Sequence, residues 1–192
     1  MTERHLTRDE AWALLEERGA LLRGHFQYAS GRHGELYIEK FRILQWPDVT
    51  EPLCRQIAER FRGMATVVAG PTTGGVILAY ETARQLGLRA IIAERKDEGS
   101  EEREFRRGFE LGPGERVLVV DDVLTTGGSI REVLKAVEAR GAEVAGVGVL
   151  VDRTGGKVAF GVPFFACLDV PAASWEPAEC RLCREGVPLI VT

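Results

Sequence analysis

The chain alternates short, unbroken apolar runs with segments of helical periodicity. The runs TVVAG (66–70), LRAIIAE (88–94), RVLVV (116–120) and VAGVGVLVD (144–152) predict strands. None of them alternates apolar with polar residues, so each strand is predicted to be covered on both faces, as in a parallel sheet. Between them, VILAYETARQLG (76–87), closed by Gly87, predicts a crossover helix. SIREVLKAVEARG (129–141) predicts another, with Ile130, Val133, Leu134 and Val137 on its apolar face, Ser129 and Glu132 as a capping box and Gly141 at C′. Upstream, Thr7 and Glu10 read as a capping box opening a helix to about Leu22, with Trp12, Leu15 and Leu22 toward the core. Residues 26–43 mix aromatic and β-branched residues around Gly31 and Gly34 and predict a hairpin or short strands. Helical periodicity returns at Leu53, Ile57 and Phe61. The pattern defines an α/β fold with a central, mostly parallel sheet flanked by helices.

At 192 residues, with 45% hydrophobic and 28% charged residues, the chain is one domain's worth of ordinary globular composition. That excludes a disordered chain, a disulfide miniprotein and a collagen-like fibre. A net charge of −4 gives no basis for electrostatic binding of nucleic acid. No apolar run approaches the ~20 residues of a membrane span, and the charged start lacks a signal-peptide core, so a cytoplasmic location is expected. Cys180 and Cys183 form a C-x2-C, which suits half of a zinc site or a redox pair. A four-ligand site needs two more ligands, no second such pair occurs, and His5, His25 and His33 are far away in sequence. The cysteines are therefore read as ordinary packed or surface thiols.

Glycine is the outlier, at 22 residues, and its placement carries the chemistry. In VLVVDDVLTTGGS (117–129), two carboxylates, Asp121 and Asp122, stand at the carboxyl end of a buried strand. Val123 and Leu124 follow, and Thr125-Thr126-Gly127-Gly128-Ser129 leads into a helix. Ligands of open α/β sheets bind outside the carboxyl ends of the strands. Glycines let backbone N–H groups turn toward a ligand, and the helix start adds a positive dipole end. This is the pattern of a monophosphate cradle, and the paired acids suit ribose hydroxyls or a metal. It is neither a Walker A loop nor a G-x-G-x-x-G fingerprint. Residues 96–108 (KDEGSEEREFRRG) are mostly charged, with Phe105 the one large apolar residue. They are read as a mobile lid whose basic residues close over an anionic ligand, in preference to a plain surface hairpin.

The acid pair, apolar pair and Thr-Thr-Gly-Gly-Ser resemble the phosphoribosyl-diphosphate (PRPP) motif of type I phosphoribosyltransferases. GHFQYASGRHGELYIEK (24–40), AGPTTGGVILAYETARQLG (69–87), AERK (93–96), VDRTGG (151–156) and CRLCREGVPL (180–189) narrow the resemblance to orotate phosphoribosyltransferases. The resemblance implies a single type I domain with an N-terminal helix and hood strands (1–45), a PRPP-binding core (64–155) and the lid (96–108). It also implies transfer of phosphoribose from PRPP to orotate with Mg²⁺, giving orotidine 5′-monophosphate and pyrophosphate. By similarity, Asp121 and Asp122 hold the ribose hydroxyls, Val123 and Leu124 belong to the PRPP-binding segment, and the Thr125–Ser129 loop binds the 5′-phosphate, with Thr125 also near the orotate. Gly70, Thr72, Thr73 and Gly74 belong to the loop under the pyrophosphate, and Arg95 and Lys96 match the basic pair on the diphosphate. Arg153 matches the arginine that grips the orotate carboxylate, and Tyr37 and Ser30-Gly31 lie against the base. Mg²⁺ is expected through PRPP rather than through protein ligands, and a homodimer with the lid shared between subunits is implied.

The chain departs from many members at three places: Thr73-Gly74 where a lysine is common, Asp97–Glu102 where a K-x-H arrangement is common, and Ala29 where a base-contacting lysine is common. Arg103, Arg106 and Arg107 are the basic residues available as replacements. A purine or other pyrimidine phosphoribosyltransferase and a non-catalytic PRPP-sensing regulator remain alternatives. Arg153 discriminates against the first, and the lack of a basic face against a regulator acting on nucleic acid.

Overall fold

A computed structural model describes residues 7–28, 30–171 and 173–192. Ala29 thus lies outside the described residues. The chain runs α1 (Arg8–Glu17), β1 (Leu21–Gln27), β2 (His33–Ile38), α2 (Phe41–Leu44), α3 (Pro47–Phe61), β3 (Val67–Pro71), α4 (Gly74–Leu86) and β4 (Arg89–Arg95). It continues with β5 (Arg103–Phe105), β6 (Arg116–Leu124), α5 (Gly128–Glu138), β7 (Glu143–Asp152), β8 (Phe164–Asp169), β9 (Ser174–Trp175), α6 (Arg181–Arg184) and β10 (Leu189–Val191).

Six strands form the central sheet in the order β5-β4-β3-β6-β7-β8. All pairs are parallel except β4 with β5, where the chain folds back on itself. Val68, Leu118, Val120 and Leu150 face the layer of α1, α3 and α4. Val67, Ala69, Val117, Val119, Val147 and Val149 face Ile130, Val133 and Val137 of α5. Two covered faces explain why these strands read as unbroken apolar runs. Helix α3 approaches β7 closely because β7 carries Gly146 and Gly148: a Cβ there would stand 2.3 Å from Phe61 and 2.5 Å from Ile57.

A second, four-stranded sheet, β10-β1-β2-β9, forms a hood over the carboxyl end of the first. It is drawn from both ends of the chain, because β9 and β10 complete what β1 and β2 begin. The predicted N-terminal hood at 1–45 is therefore half of the element.

Three sequence expectations are corrected. Helix α1 has its Thr7–Glu10 capping box but ends at Glu17, not near Leu22. Gly19 turns the chain at φ +61°, and Leu21 and Leu22 pair across the ladder with Ile38 and Tyr37. Helix α5 begins at Gly128 with Gly127 as N-cap and no side-chain cap, so Ser129 does not close a capping box. The first N–H groups of that helix are left open to the cleft. Finally, Cys180 and Cys183 are not isolated thiols, because the β1–β2 hairpin carries His25 and His33 to their side.

Candidate active site

From β3 the chain moves to β4 on one side, and from β6 to β7 on the other. The strand order therefore reverses between β3 and β6, where an open α/β sheet makes its ligand crevice. A cavity of about 760 Å³ opens there, roofed by the hood and lined on its floor by Asp122, Val123, Thr125, Thr126, Gly128 and Ser129. That volume suits a small-molecule site. A second hollow, of about 690 Å³, lies at the amino end of β4 beside the Arg89–Glu115 ion pair and gathers none of these groups.

The loop between β6 and α5 is the cradle. Gly127 holds φ +79°, turning the chain so that the start of α5 faces the cavity. Arg131 braces the loop from behind: its Nη1 donates to Thr126 O at 2.9 Å, and its guanidinium lies 5.4 Å from the Phe160 ring. Exposed Thr125, Thr126 and Ser129 leave their hydroxyls at the rim. The result is a set of neutral donors around a helix N-terminus, which suits a phosphate.

The two acids at the end of β6 have different surroundings. Asp121 is buried, its Oδ1 accepts the Asp122 N–H at 2.9 Å, and it does not line the cavity. Burial, reinforced by the adjacent Asp122 charge, pushes its carboxyl up to about 7. Asp122 lines the cavity, and its Oδ1 accepts from Val123 N–H at 2.7 Å. Lys40, just after β2, donates to the same oxygen at 3.2 Å and stands 3.0 Å from Oδ2. Only the Oδ1 contact has hydrogen-bond directionality, so the buried Oδ2 lacks a hydrogen bond. Gly74 makes room for this carboxylate, since a Cβ there would lie 1.8 Å from Asp122 Oδ2.

The turn after β3 contains a cis peptide between Thr72 and Thr73. Arg103 reaches beneath it from β5, donating to Ala93 O at 3.0 Å and to Thr72 Oγ1 at 3.2 Å. Burial lowers this guanidinium from its ordinary value, opposed by the nearby Asp121 charge. Arg95 and Arg103 line the cavity, whereas Lys96 pairs with Glu102 across the hairpin at 3.3 Å. Arg106 pairs with Glu104 and Arg107 with Glu94, so Arg103 alone of the three candidate replacements lines the cleft.

At the hood side, Arg153 follows β7 and its Nη2 donates to Tyr28 Oη at 2.7 Å and Leu36 O at 3.0 Å. Its guanidinium lies 4.7 Å from the Tyr28 ring. Neighbouring Asp152 is occupied by Thr154 N–H at 2.6 Å. Tyr28 fits because Gly34 faces it without a side chain: a Cβ would stand 2.0 Å from the hydroxyl. Arg153 Nε is buried without a hydrogen bond, so the group retains donor capacity at a cavity wall shared with Tyr37.

Of the residues read from sequence, Ser30, Tyr37, Arg95, Asp122, Val123, Thr125, Thr126, Gly128, Ser129 and Arg153 line one cavity. Gly70, Thr72, Thr73, Gly74, Lys96, Asp121, Leu124 and Gly127 do not; most of them shape its walls from behind. Sequence reasoning assigned no role to Lys40, Tyr28, Arg32 or Arg131. Lys40 and Tyr28 sit within the hood segment that carries the resemblance, but only the three-dimensional pairing with Asp122 and Arg153 singles them out.

A phosphate cradle, an acid pair and a buried arginine around the switch point of this sheet define a phosphoribosyltransferase. Residues 42–177 match the phosphoribosyl transferase domain family. An orotate phosphoribosyltransferase of Pelotomaculum thermopropionicum is 49% identical over 186 residues, 96% of each chain. One of Caldanaerobacter subterraneus is 46% identical over the same share of both chains. The crystal structure of orotate phosphoribosyltransferase from Aeropyrum pernix superimposes with a TM-score of 0.69 at 31% identity, covering 82% of this chain and 92% of that one. The chain belongs to the orotate phosphoribosyltransferase family.

Proposed function

We propose that the cleft transfers phosphoribose from PRPP to orotate, giving orotidine 5′-monophosphate and pyrophosphate, a step of pyrimidine synthesis. The observation that carries this reading is Arg153, a guanidinium held by Tyr28 at the hood wall of a PRPP-type cleft. A carboxylate-bearing base needs such a fork, and a purine does not. The 5′-phosphate sits in the Thr125–Ser129 cradle, and Asp122 takes the ribose hydroxyls, exchanging Lys40 for substrate, while Asp121, outside the cavity lining, supports it from behind through the Asp122 N–H. The diphosphate lies over the turn at 70–75, reached by Arg95 and Lys96, with Arg103 stiffening that turn from below.

The C1′–O bond to diphosphate breaks with its electron pair leaving on oxygen, and a ring nitrogen of orotate forms the new bond to C1′ as its proton passes to the departing diphosphate or water. The protein contributes position, charge neutralisation and exclusion of water rather than a covalent intermediate. The donors at the end of β6 are oxygens, including the unbonded Oδ2 of Asp122, which suits a hard cation held largely by substrate. Asp122 would help hold a substrate-borne Mg²⁺ at this end of β6, where the ion would supply charge neutralisation for the departing diphosphate.

The same reading makes the 96–108 hairpin a lid and the enzyme a homodimer whose lid is shared. Exposed Phe41 on α2, and Ile77 and Tyr80 on α4, support a second copy. Lys96, which turns to Glu102 here, is the residue such sharing would bring to a neighbouring cleft. The free thiols of Cys54 and Cys167 accord with a reducing, cytoplasmic compartment. Among the described residues, no helix is long and apolar enough to cross a membrane.

Arg153→Ala tests the assignment. Its kcat/KM for orotate should fall at least about 100-fold while PRPP affinity changes less than about threefold. Arg153→Lys, which keeps the charge and loses the fork, should fall between the two. Unchanged orotate turnover in Arg153→Ala would place the base elsewhere.

A further inference from the structure

We propose that His25, His33, Cys180 and Cys183 form a structural zinc site that fastens the end of the chain to the hood. His25 lies on β1 and His33 opens β2, while Cys180 stands at the N-cap of α6 and Cys183 lies within it. Their four ligand atoms all lie within 4.8 Å of one another. His25 Nε2 is 3.0 Å from His33 Nδ1, 3.4 Å from Cys180 Sγ and 3.7 Å from Cys183 Sγ, and Cys183 Sγ is 3.3 Å from His33 Nδ1. A tetrahedron with zinc–sulfur bonds of about 2.3 Å and zinc–nitrogen bonds of about 2.0 Å has nitrogen–nitrogen edges of about 3.3 Å and nitrogen–sulfur edges of about 3.5 Å. The observed separations match those edges to within a few tenths of an ångström.

Proton bookkeeping points the same way. His25 Nδ1 faces Val187 O at 2.8 Å and must donate to it, which leaves Nε2 as a lone pair aimed into the cluster. Holding the far ring nitrogen on a backbone carbonyl is how metal-binding histidines are oriented. Around that lone pair stand another ring nitrogen and two sulfurs, a set short of strong donors but rich in ligands for a soft cation. Two sulfurs and two imidazoles in tetrahedral array select zinc among the common divalent ions. All four positions are filled by protein, so the site is structural rather than catalytic. Exposed Cys183 leaves a route for the metal to enter, while His25, His33 and Cys180 are buried.

The fold gives the metal something to hold. Strand β10 is three residues long, lies on the edge of the hood and has no buried side chain. Within α6 and the 3-10 turn at Pro177–Glu179 nothing is buried either, and Cys180 between them is the anchor at 0% exposure. Apolar burial therefore does little to fix this segment. Its place matters nonetheless, since β10 pairs with β1 and Thr192 lines the cleft with Tyr28 and Arg153.

The test uses the full chain, purified under reducing conditions with no added metal or chelator. Elemental analysis should find about one zinc per chain. After zinc is stripped with a chelator, Co²⁺ added to the wild-type chain should give the intense visible bands of a tetrahedral ion together with thiolate charge-transfer absorption. Cys183→Ser and His33→Ala should each cut zinc content at least tenfold and lower the melting temperature, and chelation should lower it in the wild type but not in the variants. The cobalt spectrum needs no variant and stands even if a substituted chain fails to fold. Reduced wild-type chain that carries no zinc and gives no tetrahedral cobalt spectrum would overturn the proposal. So would a Cys180–Cys183 disulfide in the reduced preparation, or full zinc retention in Cys183→Ser.

Discussion

Asp121 and Asp122 are adjacent on β6, and strand alternation sends their side chains to opposite faces. One acid thus meets the cavity with Lys40 beside it, while the other is buried without lining it. Asp121 then carries a measurable cost. With its carboxyl raised to about 7 against about 3.9 in an unfolded chain, the native state holds a proton that the unfolded state releases. The native state binds more protons between those values, so this group's contribution to stability declines as pH rises from about 4 to about 7 and is constant above. Asp121→Asn keeps the oxygen that accepts the Asp122 N–H and removes the charge. Denaturant unfolding should find its stability gaining on wild type across that window, by on the order of a few kcal/mol at pH 8. A difference independent of pH would contradict the raised carboxyl. The acid pair was legible in the sequence because two carboxylates ending an apolar run have few structural uses. Their different surroundings were not, because these depend on Lys40 and Arg103, which arrive from segments distant along the chain.

The elements read best were those whose signal is local: β3, α4, β4, β6, α5 and β7 each carry their own periodicity and turn residues. The hood was read only in part, since β9 and β10 are too short to show a pattern and gain meaning only beside β2 and β1. Sequence distance hid the histidine–cysteine cluster for the same reason. The β4–β5 hairpin is the element on which the lid proposal depends. Arg95 enters the cleft and donates to Ser100 O at 3.2 Å, while Lys96 turns to Glu102. Placing the diphosphate under both predicts that Arg95→Ala and Lys96→Ala each raise KM for PRPP about tenfold or more, with orotate KM little changed. An unchanged PRPP KM in Lys96→Ala would confine diphosphate binding to Arg95 and the loop above Arg103.

Taken as one molecule, the chain is a parallel sheet that sets a phosphate cradle against a roof built from both of its ends. The sheet supplies the part of the site common to phosphoribosyl transfer. In the proposed reading, the hood and the residue after β7 supply what distinguishes one base from another, through Tyr28, Tyr37 and Arg153. That division explains why the nonapeptide pointed to PRPP from sequence, while on the base side Arg153 and Tyr37 came from the family resemblance and the Tyr28 contact to Arg153 needed the assembled fold. It also sets the decisive measurement: steady-state turnover with PRPP and Mg²⁺, offering orotate, uracil, adenine, hypoxanthine and xanthine separately. Loss of orotate absorbance with matching pyrophosphate release, and no turnover of the other four bases, is the predicted result. Turnover of a purine or uracil in place of orotate, or PRPP binding with no turnover of any base, would contradict it.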